Sequence, residues 1–244
     1  MEVFETMNLF KSYFKEICIT ILCLSIVAFG CSIHSRIEAF DQRVTNLEQR
    51  IQKTHDAEVK LLEKLEELNE RTKEIKMAQE KRKAAIEAAK EGLSIYSDLD
   101  AGDKVALNAD DMNRIIDGWT SHLAEDSVLR GHGEAFIVAS RETGLDPVYL
   151  LAHAIIESGS GTSYLARTRY NFFGINAVDS NPGLAYNMGD GVDEGIIAGA
   201  YWIKSNFYDN GYTSLYEMAE GGYASNPRWA SDIASVYNDA INYL

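Results

Sequence analysis

The chain has 244 residues, 46% of them hydrophobic and 25% charged, with a formal net charge of −14. That is enough for one or two globular units. The charge is unevenly placed: residues 36–92 carry 13 basic and 13 acidic side chains, whereas residues 93–244 carry 8 basic and 21 acidic. So acidic a segment has no basic stripe to neutralise phosphates, which argues against nucleic acid as a partner. The three cysteines, Cys18, Cys23 and Cys31, all fall in one apolar run. The remainder therefore has no disulfide framework, cysteine metal site or thiol nucleophile.

That apolar run, residues 17–33 (ICITILCLSIVAFGCSI), holds no charged side chain. At roughly 1.5 Å per residue it is just long enough for a hydrocarbon core of ~30 Å, and it is expected to be a transmembrane helix anchoring residues 1–35. A lipoprotein signal ending at Cys31 fits less well, because Phe29 occupies a small-residue slot, and no A-x-A-like cleavage site follows. Lys11 and Lys15 precede the run while Arg36, Arg43, Arg50 and Lys53 follow it. The positive-inside rule then places the larger part on the cytoplasmic side.

Residues 36–92 read as a coiled-coil stalk. Ile37, Val44, Ile51 and Leu65 repeat at one seam position, and Phe40, Leu47, Leu61, Leu68 and Ile75 at the other, with Thr54, Glu58 and Thr72 as exceptions. Alternating charges flank the seam, so the chain is expected to form a homo-oligomer through it. Beyond Ile75 the seam decays, and the last turns are expected to run as a lone helix. Residues 93–110, acidic and opening after Gly92, are expected to be a linker, and residues 111–244 the functional domain.

In that domain helices are expected at 111–123, 131–143, 147–158, 193–207, 213–219 and 227–242. Residues 171–192 look like a hairpin or long loop, so the class is α+β, mostly α. Asp146 caps the third helix, with Pro147 at its first position. The helix VYLLAHAIIES is apolar nearly all round and so should be central. At its end stands Glu157, just before Gly159 and Gly161. A carboxyl on the rim of an apolar helix is placed to stay protonated, as an acid catalyst must.

The run GHGEAFIVASRETGLDPVYLLAHAIIESGSGTSYLA, followed by YNFFGINA, resembles the glucosaminidase domains of bacterial autolysins and phage lysins (glycoside hydrolase family 73). Glu157-Ser158-Gly159, Gly161-Thr162-Ser163 and Asn171-Phe172-Phe173-Gly174-Ile175 carry the resemblance. Gly195, Ile196, Ala200, the Leu215–Met218 stretch and Tyr223-Ala224-Ser225 before Trp229 agree with it, over about residues 130–244. The resemblance implies a lysozyme-like fold and hydrolysis of the GlcNAc-β-1,4-MurNAc bond of peptidoglycan. It implies no cofactor or metal.

By the same resemblance Glu157 is the general acid and Tyr223 an active-site tyrosine. Ser158, Gly159, Asn171, Phe172 and Tyr201 are candidate substrate contacts. The second carboxylate is left open among Asp179, Asp190, Asp193 and Glu194, or is replaced by the substrate's own acetamido group. Glu194 also suits a helix first-turn charge. His153 shares a helix face with Glu157. A lytic transglycosylase or muramidase on the same fold, and a non-catalytic glycan-binding component of an envelope or virion, are the competing readings. The expected setting is a membrane-anchored domain facing the cell wall, or a phage particle.

Overall fold

The computed structural model describes residues 2–121, 124–177 and 184–244. The helices in chain order are α1 (Glu2–Lys90), α2 (Ala109–Thr120), α3 (Gly133–Thr143), α4 (Pro147–Ser158), α5 (Tyr164–Arg169), α6 (Val192–Asn206), α7 (Leu215–Glu220) and α8 (Trp229–Ala240). The chain divides into two compact units within α1, between Thr72 and Lys73.

The first unit is helix alone. No Pro or Gly other than Gly30 interrupts the sequence up to Glu91, so nothing stops α1 where the apolar run gives way to the charged one. Helix α1 includes a window long and apolar enough to cross a membrane, by length and composition. The seam side chains from Ile37 to Ile75 are exposed on the single chain, with Phe40 66% and Ile51 68% accessible. Local pairs such as Gln52–Asp56 at 2.8 Å and Glu67–Arg71 at 2.8 Å decorate its surface.

The second unit differs from expectation at its start. The last turns of α1 do not run as a lone helix: Ala85 and Ala89 are fully buried. Arg82 grips the fully buried Asp111 with two hydrogen bonds, Nε at 2.8 Å and Nη2 at 2.6 Å, and Arg114 joins them. Nor is 93–110 a free linker. Leu99 and Leu107 are fully buried and Leu93 nearly so, and the Asn238 side chain bonds both the amide and the carbonyl of Leu93. The backbone of Leu99 donates to Thr213 and accepts from Asp146, so the segment is laced to the domain. Three leucines at irregular spacing show no periodicity, which is why the sequence pattern hides their burial.

Around this, α4 packs between α3 and α8, and α3 also meets α2 and α6. Six expected helices are present, joined by the unexpected short α5. The β component of the α+β expectation is not seen. Among the described residues no strand forms, only two isolated bridges, Asp98–Ser214 and Asp100–Leu145. The region expected to hold a hairpin instead wraps the side chain of Asn171, and residues 178–183 within it lie outside the described set.

Because residues 85–107 supply core, a fragment starting at residue 111 should be far less stable than one starting at residue 73. Leu99→Ala alone should cost roughly 2–5 kcal/mol. Thermal denaturation of the two fragments tests this; equal melting temperatures would contradict it.

Candidate active site

The site is built on α4, where Asp146 accepts from the amides of Val148 and Tyr149 at 2.8 and 3.2 Å. Every α4 residue is buried except Ile156 and Glu157, and these two line one groove. Its other walls are Leu165, Asn171, Gly174 and Ala177 on one side and Tyr223, Ala224, Ser225, Asn226 and Trp229 on the other. The groove encloses about 620 Å³. Just beyond Glu157 the chain turns back through Gly159, left-handed at φ 59°. The Ser158 hydroxyl clamps this turn: it donates to the Ala154 carbonyl and accepts from Gly161 N at 2.8 Å.

The Glu157 carboxyl is held on both edges. Trp229 Nε1 donates to Oε1 at 2.6 Å. Gly174 closes on Oε2 so tightly that a Cβ there would collide with it, and the residue has a left-handed φ of 64°. Only glycine satisfies both conditions. Asn171 holds this loop in place, its Nδ2 donating to Ile175 O at 2.8 Å and to Tyr186 O at 3.2 Å while Oδ1 accepts from Ile175 N at 3.0 Å. Burial raises the Glu157 carboxyl above the ordinary glutamate range, and the indole hydrogen bond opposes this only in part. Loss of water disfavours the anion.

Tyr223 is half-buried and donates to the Phe173 carbonyl at 2.9 Å. Its ring stacks on Trp229 with centroids 4.8 Å apart and planes at 25°. Burial, and then the neighbouring Tyr149 and Glu157, push its hydroxyl well above the usual range, so it stays protonated.

The structure thus gathers Glu157, Tyr223 and Asn171 at one groove, with Ser158 and Gly159 shaping the turn beside it. Phe172 is fully buried core rather than groove wall. Tyr201, 46% exposed, lies outside the groove lining and interacts with Glu142. Asp193 pairs with His132 at 2.6 Å, and Glu194 accepts from the Asp190 amide at 2.8 Å, the first-turn role. None of Asp190, Asp193 and Glu194 lines the groove, and Asp179 lies outside the described residues. Trp229 as hydrogen-bond donor was not foreseen; it stands 72 positions from Glu157 and no local pattern joins them.

Residues 133–242 match the family model described as mannosyl-glycoprotein endo-beta-N-acetylglucosaminidase. This segment is similar to the glucosaminidase domains of that family. A candidate endo-beta-N-acetylglucosaminidase of Streptococcus pneumoniae serotype 4 is 42% identical over 114 residues, 46% of this chain and 17% of the relative. The Bacillus subtilis beta-N-acetylglucosaminidase is 37% identical over 131 residues, 47% of this chain and 15% of the relative. The chain therefore spans less than a fifth of the length of these curated relatives. Among solved structures, a catalytic mutant of Staphylococcus aureus autolysin E in complex with the disaccharide NAG-NAM superposes with a TM-score of 0.50 at 27% identity, covering 64% of this chain and 77% of that one. The likeness in sequence is accompanied by a likeness in fold.

The raised acidity constant of Glu157 has a signed consequence for stability. Its folded value lies above its unfolded one, so the folded state binds more protons in that window and loses stability as pH rises through it. Glu157→Gln removes the penalty. The domain carrying it should melt at or above the wild-type temperature near pH 8, with the gap closing as pH falls towards ~4.3. A variant that melts lower at every pH would show instead that the carboxylate is a structural element.

Proposed function

We propose that the chain hydrolyses the GlcNAc-β-1,4-MurNAc bond of peptidoglycan, with Glu157 as general acid. One observation carries this reading: a carboxyl that burial holds above the ordinary glutamate range, aligned by an indole N–H, on the wall of an open groove. The family of residues 133–242, and the disaccharide held by the autolysin E mutant, supply the substrate class. Glu157 donates its proton to the glycosidic oxygen as the bond to the anomeric carbon of GlcNAc breaks, so the leaving MurNAc departs as a neutral alcohol.

Glu157 is the one carboxylate among the described residues that line the groove, which favours the acetamido oxygen of the substrate as the group that attacks the anomeric carbon. Water then opens that intermediate. Tyr223 suits a supporting role: its proton is committed to the Phe173 carbonyl, which leaves its oxygen to accept the acetamido N–H. Asn171 acts by fixing the loop that presents Gly174 to the acid. The competing carboxylate Asp179 lies outside the described residues.

The same reading assigns the apolar run as a membrane anchor and the seam as the contact between copies of the stalk. Nine of twelve seam positions from Ile37 to Ile75 are apolar, and every one of those nine is exposed on the single chain. Such a stripe is costly in water and is stabilised by a partner helix of the same pattern. A wall-facing orientation runs against the basic residues that follow the span. Assembly inside a cell into a phage particle is the setting that would remove this conflict, and the charge placement is its sole support.

Glu157→Gln should lower the rate of wall lysis by at least ~100-fold while the protein stays folded; near-normal lysis would contradict the assignment. A folded wild-type protein that lyses no wall would favour the non-catalytic alternative. For the stalk, sedimentation equilibrium in detergent should show an oligomer that dissociates when Leu61 and Leu68 are both replaced by Ser. A wild-type monomer would rule out self-association through the seam.

A further inference from the structure

His153 is a buried titratable side chain that the mechanism above does not use. It sits one helical turn before Glu157 on α4 and is fully buried. Its Nδ1 pairs with the Tyr149 hydroxyl at 3.1 Å, and its Nε2 has no hydrogen-bond partner. Leaving an imidazole nitrogen unpaired in the interior is costly. A leucine would fill the space without that cost, so core filling alone does not account for the histidine.

What surrounds the ring suggests its use. Centroid separations are 5.4 Å to Phe173, 4.8 Å to Tyr223 and 5.2 Å to Trp229, each an edge-on approach. Each of these three side chains belongs to a wall of the Glu157 carboxyl or of its groove. Trp229 donates the hydrogen bond to Oε1. Phe173 precedes Gly174, which abuts Oε2. Tyr223 stacks on the indole and ties its hydroxyl to the Phe173 carbonyl. One imidazole therefore touches every element that boxes in the acid, although it does not itself reach the groove.

We propose that His153 is a positioning residue for the acid Glu157, holding the Trp229, Tyr223 and Phe173 rings against one another so that the indole N–H and the dry wall of the groove stay on the carboxyl. The Tyr149 hydroxyl fixes the angle of the imidazole. An O–H donated to Nδ1 is a stronger bond than the alternative to the Met218 sulfur at 3.5 Å, which places the ring proton on Nε2, inside the aromatic cage. Burial lowers His153 to about 3, so it carries no charge where an enzyme would work. A cation one turn away would otherwise favour the Glu157 anion and spoil the acid. Among the described residues the titratable groups facing the imidazole are Tyr149 and Tyr223, with Glu157 beyond them on the same helix. Burial raises both phenols, so of these groups Glu157 is the one whose charge the position of the imidazole can influence.

This inference rests on the proposed role of Glu157, and its test separates the two. The full chain in detergent is labelled with 13C at glutamate carboxyls, and the Glu157 resonance is assigned by its loss in Glu157→Gln. His153→Ala should admit water to the carboxyl; because desolvation outweighs the opposing indole hydrogen bond, the Glu157 pKa should fall by about one unit, and the alkaline limb of kcat should move by the same amount with little change in KM. His153→Phe, which restores an aromatic ring, should return both towards wild type. Trp229→Phe deletes the N–H that favours the anion, and should shift them the opposite way. If His153→Ala does not fold, Tyr149→Phe, nearly isosteric, should give a smaller downward shift. An unchanged titration in a folded His153→Ala, or in Tyr149→Phe where the first is unfolded, would reduce His153 to packing. A wild-type protein that titrates as described but cleaves no wall would overturn the catalytic reading and leave the positioning geometry standing.

Discussion

Ten of the twelve residues of α4 are buried, and the two that are not, Ile156 and Glu157, are the ones that meet the groove. Burial of this helix against α3 and α8 is the constraint on which the site depends. It removes water from one side of the Glu157 carboxyl, sets its distance from Trp229 on α8, and holds His153 against the loop that carries Gly174. The start of the helix is fixed as firmly. The fully buried Asp146 carboxylate meets Lys104 Nζ at 2.7 Å and the Tyr237 hydroxyl at 3.1 Å besides capping two amides. A buried carboxylate with four partners costs much to disturb, since losing one strands charge in the interior. Two separate stretches of chain, through Lys104 and Tyr237, thereby help set the register of the helix that ends in the acid.

The acid itself is paid for in stability. A carboxyl held above its ordinary range destabilises the folded form at neutral pH, and any side chain at the left-handed Gly174 would be strained and would displace the carboxyl. A desolvated carboxyl in a groove is a common mark of a functional site. His153 fits the same pattern, with an orphan nitrogen among aromatic rings.

Much of this was legible in the sequence where the signal is local. The Asp146-Pro147 start of α4, its apolar circumference and the glycines after Glu157 place the acid at a helix end, and the Asn-Phe-Phe-Gly-Ile motif places its neighbour. Contacts between distant positions were not legible. Nothing near Trp229 announces a partner 72 residues away, and Phe172, read as a candidate substrate contact, is fully buried in the core, as is its neighbour Phe173. Composition misled at 93–110. An acidic stretch after a helix-stopping glycine looks like a linker, yet single leucines at irregular intervals are enough to bury it. Among the described residues the expected β component is absent, and in the 171–192 region the Asn171 side chain pairs with the backbone of Ile175 and Tyr186.

The central claim is that Glu157 protonates the bond on the reducing side of GlcNAc. The most direct measurement is mass spectrometry of muropeptides, with and without borohydride reduction, after digestion of purified wall by the full-length protein. The account predicts new reducing ends that are GlcNAc, absent from a digest by Glu157→Gln. New MurNAc reducing ends or 1,6-anhydro-MurNAc would contradict it and identify a muramidase or a lytic transglycosylase on the same scaffold.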